Sequence, residues 1–137
     1  MRIIEGYITE LAPNEVFVFG ANRRFVHGAG AARQALQWGA VMGKGGLMGR
    51  TYALCTKDEN IETLSLSEIK KEVEKFRQVV QDNPDKIFLL TAVGTGLAGI
   101  PVADIANLFE DFYWGILDGR IENVVLPVEF VNHYCPF

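Results

Sequence analysis

The sequence has few cysteines, no long apolar run and no acidic residue over one contiguous third of its length. Its two cysteines, Cys55 and Cys135, form no CxxC pair, which disfavours a disulfide framework or a zinc site and makes a reducing interior the default. The N-terminus lacks the apolar core of a signal peptide, and no run approaches the ~18 apolar residues that cross a membrane. We therefore expect a cytoplasmic protein with no membrane partner, no metal and no cofactor.

The acid-free segment covers residues 16–57. It contains six Lys and Arg residues and eight of the fourteen glycines, so it carries +6 while the remainder of the chain carries −10. The net charge of −4 disfavours general nucleic-acid binding. Positive charge next to free backbone amides is what an anionic ligand requires, whereas a solvated surface with uneven charge is the alternative.

A length of 137 residues with 49% hydrophobic content suits one domain covering 1–137. Apolar runs predict buried strands over residues 15–20, 51–56, 86–93 and 123–127. Helices are predicted over 31–38, from the capping spacing at Ser65 to about residue 81, and from Pro101 past Phe112, with residues 39–50 as a loop. Strands that are apolar throughout and alternate with helices predict a three-layer α/β/α domain with a mainly parallel sheet.

Two glycine-rich loops each follow a predicted strand and lead into a predicted helix. In open α/β sheets ligands bind beyond the carboxyl ends of the strands, and glycine lets the backbone approach a phosphate closely. We therefore predict that the loops hold the phosphates of a nucleotide-like ligand, although no Gly-Lys-Ser/Thr makes either one a Walker A motif. Tight turns and close helix–sheet packing are the alternative. The predicted contacts are Gly28, Ala29 and Gly30 in the first loop and Gly94, Thr95, Gly96, Leu97, Ala98 and Gly99 in the second.

Four motifs, in order along the chain, resemble the macro domains, which bind ADP-ribose and related metabolites. The family's Gly-Asp-Ile-Thr is similar to residues 6–9, its strand ending in Ala-Asn to 18–22, its helix-opening glycine segment to 27–32, and its second phosphate loop to 94–99. The resemblance covers nearly the whole chain. It implies a macro-like fold and places Tyr7 and Ile8 at the ligand, although Tyr7 stands where the family has an aspartate for the adenine amino group.

The chain is most similar to the terminal ADP-ribose glycohydrolase branch of that family. A strand there ends in Thr-Lys with a catalytic lysine, and Thr56-Lys57 is similar. The partner aspartate of the second loop is replaced by Ala98. Three functions therefore stay open: recognition of ADP-ribose or a related nucleotide diphosphate sugar, an ADP-ribosyl hydrolase acting through Lys57 on an ADP-ribosylated macromolecule, and an interaction module with purely structural loops.

Several single residues have two interpretations. Asn22 either bonds a ribose hydroxyl or forms an Asx turn. His27 either serves as a general acid/base or phosphate contact, or has no role in the site. Lys57 either contacts the ligand or belongs to a charged turn, in which Asp58 or Glu59 can replace the missing acid. Tyr7 can stack on a base or contact it through its hydroxyl. Cys55 is expected to be a buried, unreactive thiol.

Overall fold

The computed structural model describes residues 1–136 and has the expected α/β architecture, with six strands and five helices in this part of the chain. The strands are β1 (Ile3–Ile4), β2 (Glu15–Asn22), β3 (Gly46–Met48), β4 (Thr51–Lys57), β5 (Ile87–Leu90) and β6 (Val124–Pro127). The helices are α1 (Gly30–Ala35), α2 (Leu66–Asp82), α3 (Val102–Leu108), α4 (Glu110–Leu117) and α5 (Val128–Tyr134), and a 3-10 turn, Leu36–Trp38, follows α1.

The strands form one mainly parallel sheet in the order β1-β6-β5-β2-β4-β3. Only β3 is antiparallel, where it pairs with β4 at one edge of the sheet. The central strand β2 has β5 on one side, with Val16 opposite Phe88, and β4 on the other, with Phe19 opposite Ala53. The carboxyl ends of β5, β2 and β4 therefore lie next to one another at the same edge of the sheet.

Alternate residues of β2 face two separate cores. Val16 and Val18 pack into the larger core, which also contains Phe76 of α2 and buried residues of α3, α4 and α5. Phe17 and Phe19 pack on the opposite face with the residues around α1. The four β2 side chains that face these cores are at most 2% exposed. The central strand is therefore apolar throughout because helices cover both of its faces, as the sequence predicted.

The longest helix, α2, begins at a side-chain cap and buries one apolar face. Ser65 Oγ accepts a hydrogen bond from the Glu68 N–H at 3.3 Å and so caps the helix. The apolar positions Ile69, Val73, Phe76 and Val80 are all buried on one face, which confirms the periodicity seen in the sequence.

Several element boundaries differ from the predictions. Residues 39–50 are not only a loop, because Gly46–Met48 pairs with β4, and the strand predicted over 86–93 ends at Leu90. The helix predicted past Pro101 divides at Phe109, which ends α3 and begins α4. The short strand β1 and helix α5 were not predicted. Within residues 1–136, none of the helices combines the length and the apolar character needed to cross a membrane.

Candidate functional site

A cavity of about 730 Å³ opens at the edge of the sheet where β5, β2 and β4 end. We call it the first cavity. Its lining combines both glycine-rich loops with the ends of β2 and β4. The lining residues are 20–22, 28–32, 56–57 and 91–98, together with Tyr7, Val26 and Ile61. The neighbouring positions of β5, β2 and β4 in the sheet bring these distant segments together.

Close contacts hold the two loops against each other and against the sheet. A Cβ on Gly20, near the end of β2, would lie 3.3 Å from the backbone nitrogen of Gly94. Leu97 Cδ1 lies 3.7 Å from the position that a Cβ would take on Gly30, so the second loop reaches across to the first. Thr63 Oγ1 donates a 3.0 Å hydrogen bond to the carbonyl of Ala98, which ties the second loop to the segment after β4. The loops therefore form two walls of one cleft.

Both walls present backbone N–H groups without acceptors. In the first loop, α1 begins after Ala29 with no side-chain cap, and the N–H groups at 30–32 have no acceptor among residues 1–136. In the second loop, the N–H groups at 96–98 likewise donate to no other group in the described part of the chain. Such amides satisfy their hydrogen-bonding capacity with water or with a ligand, and oxygen atoms of an anion are suitable acceptors.

The glycines of the two loops fall into two groups. Gly30, Gly94 and Gly99 have φ values of +61°, +78° and +70°, so the backbone conformation itself favours glycine there. Gly28 and Gly96 line the cavity with φ outside that region, and nothing lies within 4 Å of the Cβ that each lacks. Backbone conformation therefore explains why glycine occurs at the first three positions. It gives no reason for glycine at Gly28 and Gly96.

Lys57 is the only charged residue in the lining of the first cavity as described. The other five cations of the segment 16–57 lie elsewhere. Arg23 pairs with Glu68 at 3.1 Å, and this hydrogen bond raises the pKa of Arg23, while Arg50 Nη2 donates to the Leu11 carbonyl at 2.9 Å. The positive segment thus contributes one cation to the lining of the cavity, so its total charge overstated how many cations lie there.

The candidate acids lie outside this lining. Asp58 Oδ1 accepts hydrogen bonds from the N–H groups of Asn60 at 2.8 Å and Glu62 at 3.0 Å, so the carboxylate closes its own turn. Glu59 is exposed and does not line the cavity, and Ala98 occupies the second loop where the resemblance implies an aspartate. Among residues 1–136 the first cavity therefore contains a lysine and no carboxylate.

Asn22 forms the turn that was one of its two interpretations, and it also lies in the lining of the first cavity. Its Oδ1 accepts from the N–H groups of Arg24 at 3.1 Å and Val26 at 3.3 Å, and its Nδ2 donates to the Val26 carbonyl at 3.0 Å. These contacts are those of an Asx-type turn. Asn22 also lines the first cavity, and its Nδ2 makes a single hydrogen bond within residues 1–136 although the group has two N–H donors.

His27 is separated from the cavity lining although it directly precedes Gly28. It is 1% exposed, its ring packs edge-on against Phe19 with centroids 5.2 Å apart, and neither ring nitrogen has a partner in the described chain. The structure therefore places His27 against Phe19 of the smaller core and outside the lining of the first cavity.

A second cavity of about 620 Å³ adjoins the first and shares five lining residues with it: Tyr7, Gly30, Ala31, Thr91 and Ala92. Tyr7 stands between the two cavities with 95% of its surface exposed, and Ile8 lines the second cavity only. Gly99 lines neither cavity. Of the site residues predicted from the sequence, the structure thus brings together all except His27 and Gly99.

Some lining residues were not predicted as site residues. Ile61 and Thr91 line the first cavity and Glu129 of α5 lines the second, and none of the three had a signal in the sequence. Thr56, which also lines the first cavity, was noted only as part of the Thr56-Lys57 motif. Cys55 is buried as expected, and this burial raises the pKa of its thiol to about 12. No three His, Cys, Asp or Glu side chains of residues 1–136 cluster so as to hold a metal ion.

Comparison with known proteins assigns the chain to no family. No protein-family model matches the chain, and no curated protein matches it in sequence.

Proposed function

We propose that the cleft binds ADP-ribose or a related nucleotide diphosphate sugar, with the diphosphate between the two glycine-rich loops. The observation that carries this proposal is that both loops line one cavity in which Lys57 is the only charged side chain among residues 1–136. Unpaired amides on two sides and one cation suit a diphosphate, whose oxygens accept hydrogen bonds and whose charge is negative. The volume of about 730 Å³ lies within the usual range of small-ligand sites.

Gly28 and Gly96 support a binding role over a purely structural one. If the loops were only tight turns, glycine would be needed where φ is positive or where packing leaves no space. Neither condition applies at these two residues, which both line the cavity. Close approach of an anion to the backbone explains a missing Cβ at both positions.

The macro-domain resemblance narrows the ligand class. The four ordered motifs contribute Tyr7, Asn22 and both glycine loops to the first cavity. We place ADP-ribose in the first cavity with its phosphates against the two loops and one ribose near Asn22 and Lys57. The nucleoside then extends past Tyr7.

Isothermal titration calorimetry with ADP-ribose, ADP and inorganic phosphate tests the proposal. We expect ADP-ribose to bind most tightly, and Lys57→Gln to weaken it by about tenfold, because a charged hydrogen bond contributes about 1.5–3 kcal/mol. Lys44→Gln is the matched control. It removes the same charge from the protein, but Lys44 is exposed and lies outside both cavities. Absence of binding by all three compounds would contradict the proposal.

A hydrolase is the second candidate, favoured by the position of Lys57 at the carboxyl end of β4 inside the cavity. It requires an acid or a water-activating group that the first cavity does not contain among the described residues. The discriminating assay measures release of ADP-ribose from ADP-ribosylated protein and nucleic acid by the wild type and by Lys57→Ala. Release by the wild type that is lost in the variant supports hydrolysis, and equal release by both removes Lys57 from any mechanism.

A further inference from the structure

The pairing of β2 with β4 changes register just where the two strands reach the first cavity. Ala21 lies opposite Cys55. The next residue, Asn22, lies opposite Lys57, so Thr56 has no opposite residue in β2. Such an irregularity interrupts the ladder of hydrogen bonds between two strands and redirects the side chains beside it. The relative position of Asn22 and Lys57, which both line the first cavity, therefore depends on contacts outside the ladder.

Arg23 supplies such contacts through its main chain and through its side chain. Its backbone N–H donates a 3.0 Å hydrogen bond to the carbonyl of Lys57. Its guanidinium donates from Nη2 to Glu68 Oε2 at 3.1 Å, and its Nε lies 4.0 Å from Glu72 Oε1. Both glutamates belong to α2, and Arg23 itself lines neither cavity. Arg23 therefore fastens the ends of β2 and β4 to the longest helix.

The two glutamates give the Arg23 side chain a fixed point of attachment. Glu68 lies in the first turn of α2, and its hydrogen bond with Arg23 lowers the pKa of the carboxyl, so this group is ionised at neutral pH. Glu72 is only 8% exposed, and a carboxylate with so little access to water requires a cation beside it. The other cation near Glu72, Lys75, has a largely exposed side chain. The pair of carboxylates thus restrains Arg23, and with it the main chain that follows Asn22.

We infer that Arg23 is a positioning residue for the terminal ribose of the ligand. Its ion pair with Glu68 holds the turn after β2, and so keeps Asn22 and Lys57 at the spacing that this ribose requires. The inference rests on the proposed function. The alternative role for Arg23 is that of a cation that attracts the phosphates, and the two roles predict opposite effects for Glu68. Loss of Glu68 weakens binding if it anchors Arg23, but strengthens binding if it only neutralises a cation near an anionic ligand.

Calorimetric titrations of ADP-ribose and of ADP test the inference, because ADP lacks the terminal ribose. The proteins are the wild type, Arg23→Ala, Glu68→Ala, the double variant and the control Glu74→Ala. Glu74 is also a glutamate of α2 that pairs with an arginine, Arg77 at 3.3 Å, and it lines neither cavity. Glu68→Ala breaks the contact without removing a cation from Glu72, so it decides the question even if Arg23→Ala does not fold. Thermal melting of each variant verifies its folded state.

We expect Arg23→Ala and Glu68→Ala each to weaken ADP-ribose binding by about three- to fivefold, the upper range for a partly exposed ion pair. The double variant should bind no more weakly than Arg23→Ala, because both substitutions break the same contact. The affinity for ADP should change by less than about twofold in every variant. Glu74→Ala should match the wild type for both ligands.

Tighter binding of ADP-ribose by Glu68→Ala would overturn the inference, since Arg23 would then act as a cation on the phosphates. Equal losses for ADP and ADP-ribose would also overturn it, because a general loosening of the fold would explain them, and so would unchanged affinities or additive losses in the double variant. With any of these results the proposed function stands as long as the wild type binds ADP-ribose. Failure of the wild type to bind either ligand removes the proposed function and the inference together.

Discussion

Replacing Gly96 by alanine separates the needs of the fold from those of the ligand. Apart from its own backbone and the two neighbouring residues, the Cβ of an alanine at this position would have no heavy atom of residues 1–136 within 4 Å, and φ lies outside the left-handed region. Under these conditions Gly→Ala stabilises a protein by about 0.4–1 kcal/mol, because the unfolded chain loses conformational freedom. We therefore expect Gly96→Ala to be as stable as the wild type or more stable, with a Tm higher by roughly a few degrees.

Gly96 lines the first cavity, so the Cβ of the alanine variant would lie in that lining. It would hold a phosphate away from the free N–H groups at 96–98, and a lost hydrogen bond to a charged group costs about 1.5–3 kcal/mol. ADP-ribose affinity should therefore fall by at least about tenfold while stability is kept.

Gly99→Ala is the matched control within the same loop. Its Cβ also has nothing within 4 Å, but its φ is +70° and it lines neither cavity. A left-handed conformation costs a non-glycine residue about 1–2 kcal/mol, so this variant should lose stability and retain affinity.

Urea unfolding followed by the fluorescence of Trp38, whose ring lies 4.9 Å from that of Phe17, measures stability, and calorimetry measures affinity. Two results would refute the reasoning. A loss of more than about 1 kcal/mol in Gly96→Ala would show that the fold itself requires this glycine. Wild-type affinity in a stable Gly96→Ala would show that no ligand approaches the backbone there.

Three further substitutions test the account of the fold. Ser65→Ala removes the cap of α2 and should cost about 1 kcal/mol in urea unfolding; an unchanged midpoint would contradict the capping role. Phe76→Ala removes a fully buried ring that lies 5.2–6.5 Å from four other aromatic rings and should cost about 3–5 kcal/mol, so a loss below about 1 kcal/mol would contradict the described core. Burial opposes ionisation of Glu15, but the Ala12 N–H and Arg2 outweigh it and lower the pKa of Glu15. This stabilisation is present above the unfolded-state pKa and is lost as pH falls through the folded-state pKa, so Glu15→Gln should be less stable than the wild type at neutral pH and equal to it in acid; a pH-independent difference would contradict this.

Residues with strong local signals were placed correctly from the sequence. The buried faces of β2 and α2 follow from runs of apolar residues at strand and helix spacing, and Ser65 caps α2 as its distance from Glu68 indicated. The position of the two glycine loops followed from the same signals, because each loop comes directly after a buried parallel strand.

The short elements escaped prediction because they have little local signal. The two-residue strand β1 forms because it pairs with β6, and β3 forms because it pairs with the edge strand β4. Neither is long enough to show a periodicity. The division of the helix at Phe109 is similarly hidden, since the apolar pattern of the sequence continues through it.

By itself, the sequence determined the α/β class, the buried strands and the presence of two glycine-rich loops, because these depend on local composition and spacing. Only the tertiary structure decided that the two loops line the same cavity. The strand order places both loops on one cavity. Packing places His27 outside its lining and pairs Arg23 with Glu68, so that Lys57 is the one charged lining residue in the described part of the chain. The structure also distinguishes the glycines whose backbone conformation requires glycine from Gly28 and Gly96. It places Glu129 and Tyr7, which are far apart in the sequence, in the lining of one cavity. Side-chain contacts and backbone angles of this kind arise from packing between distant segments, which no local pattern of residues records.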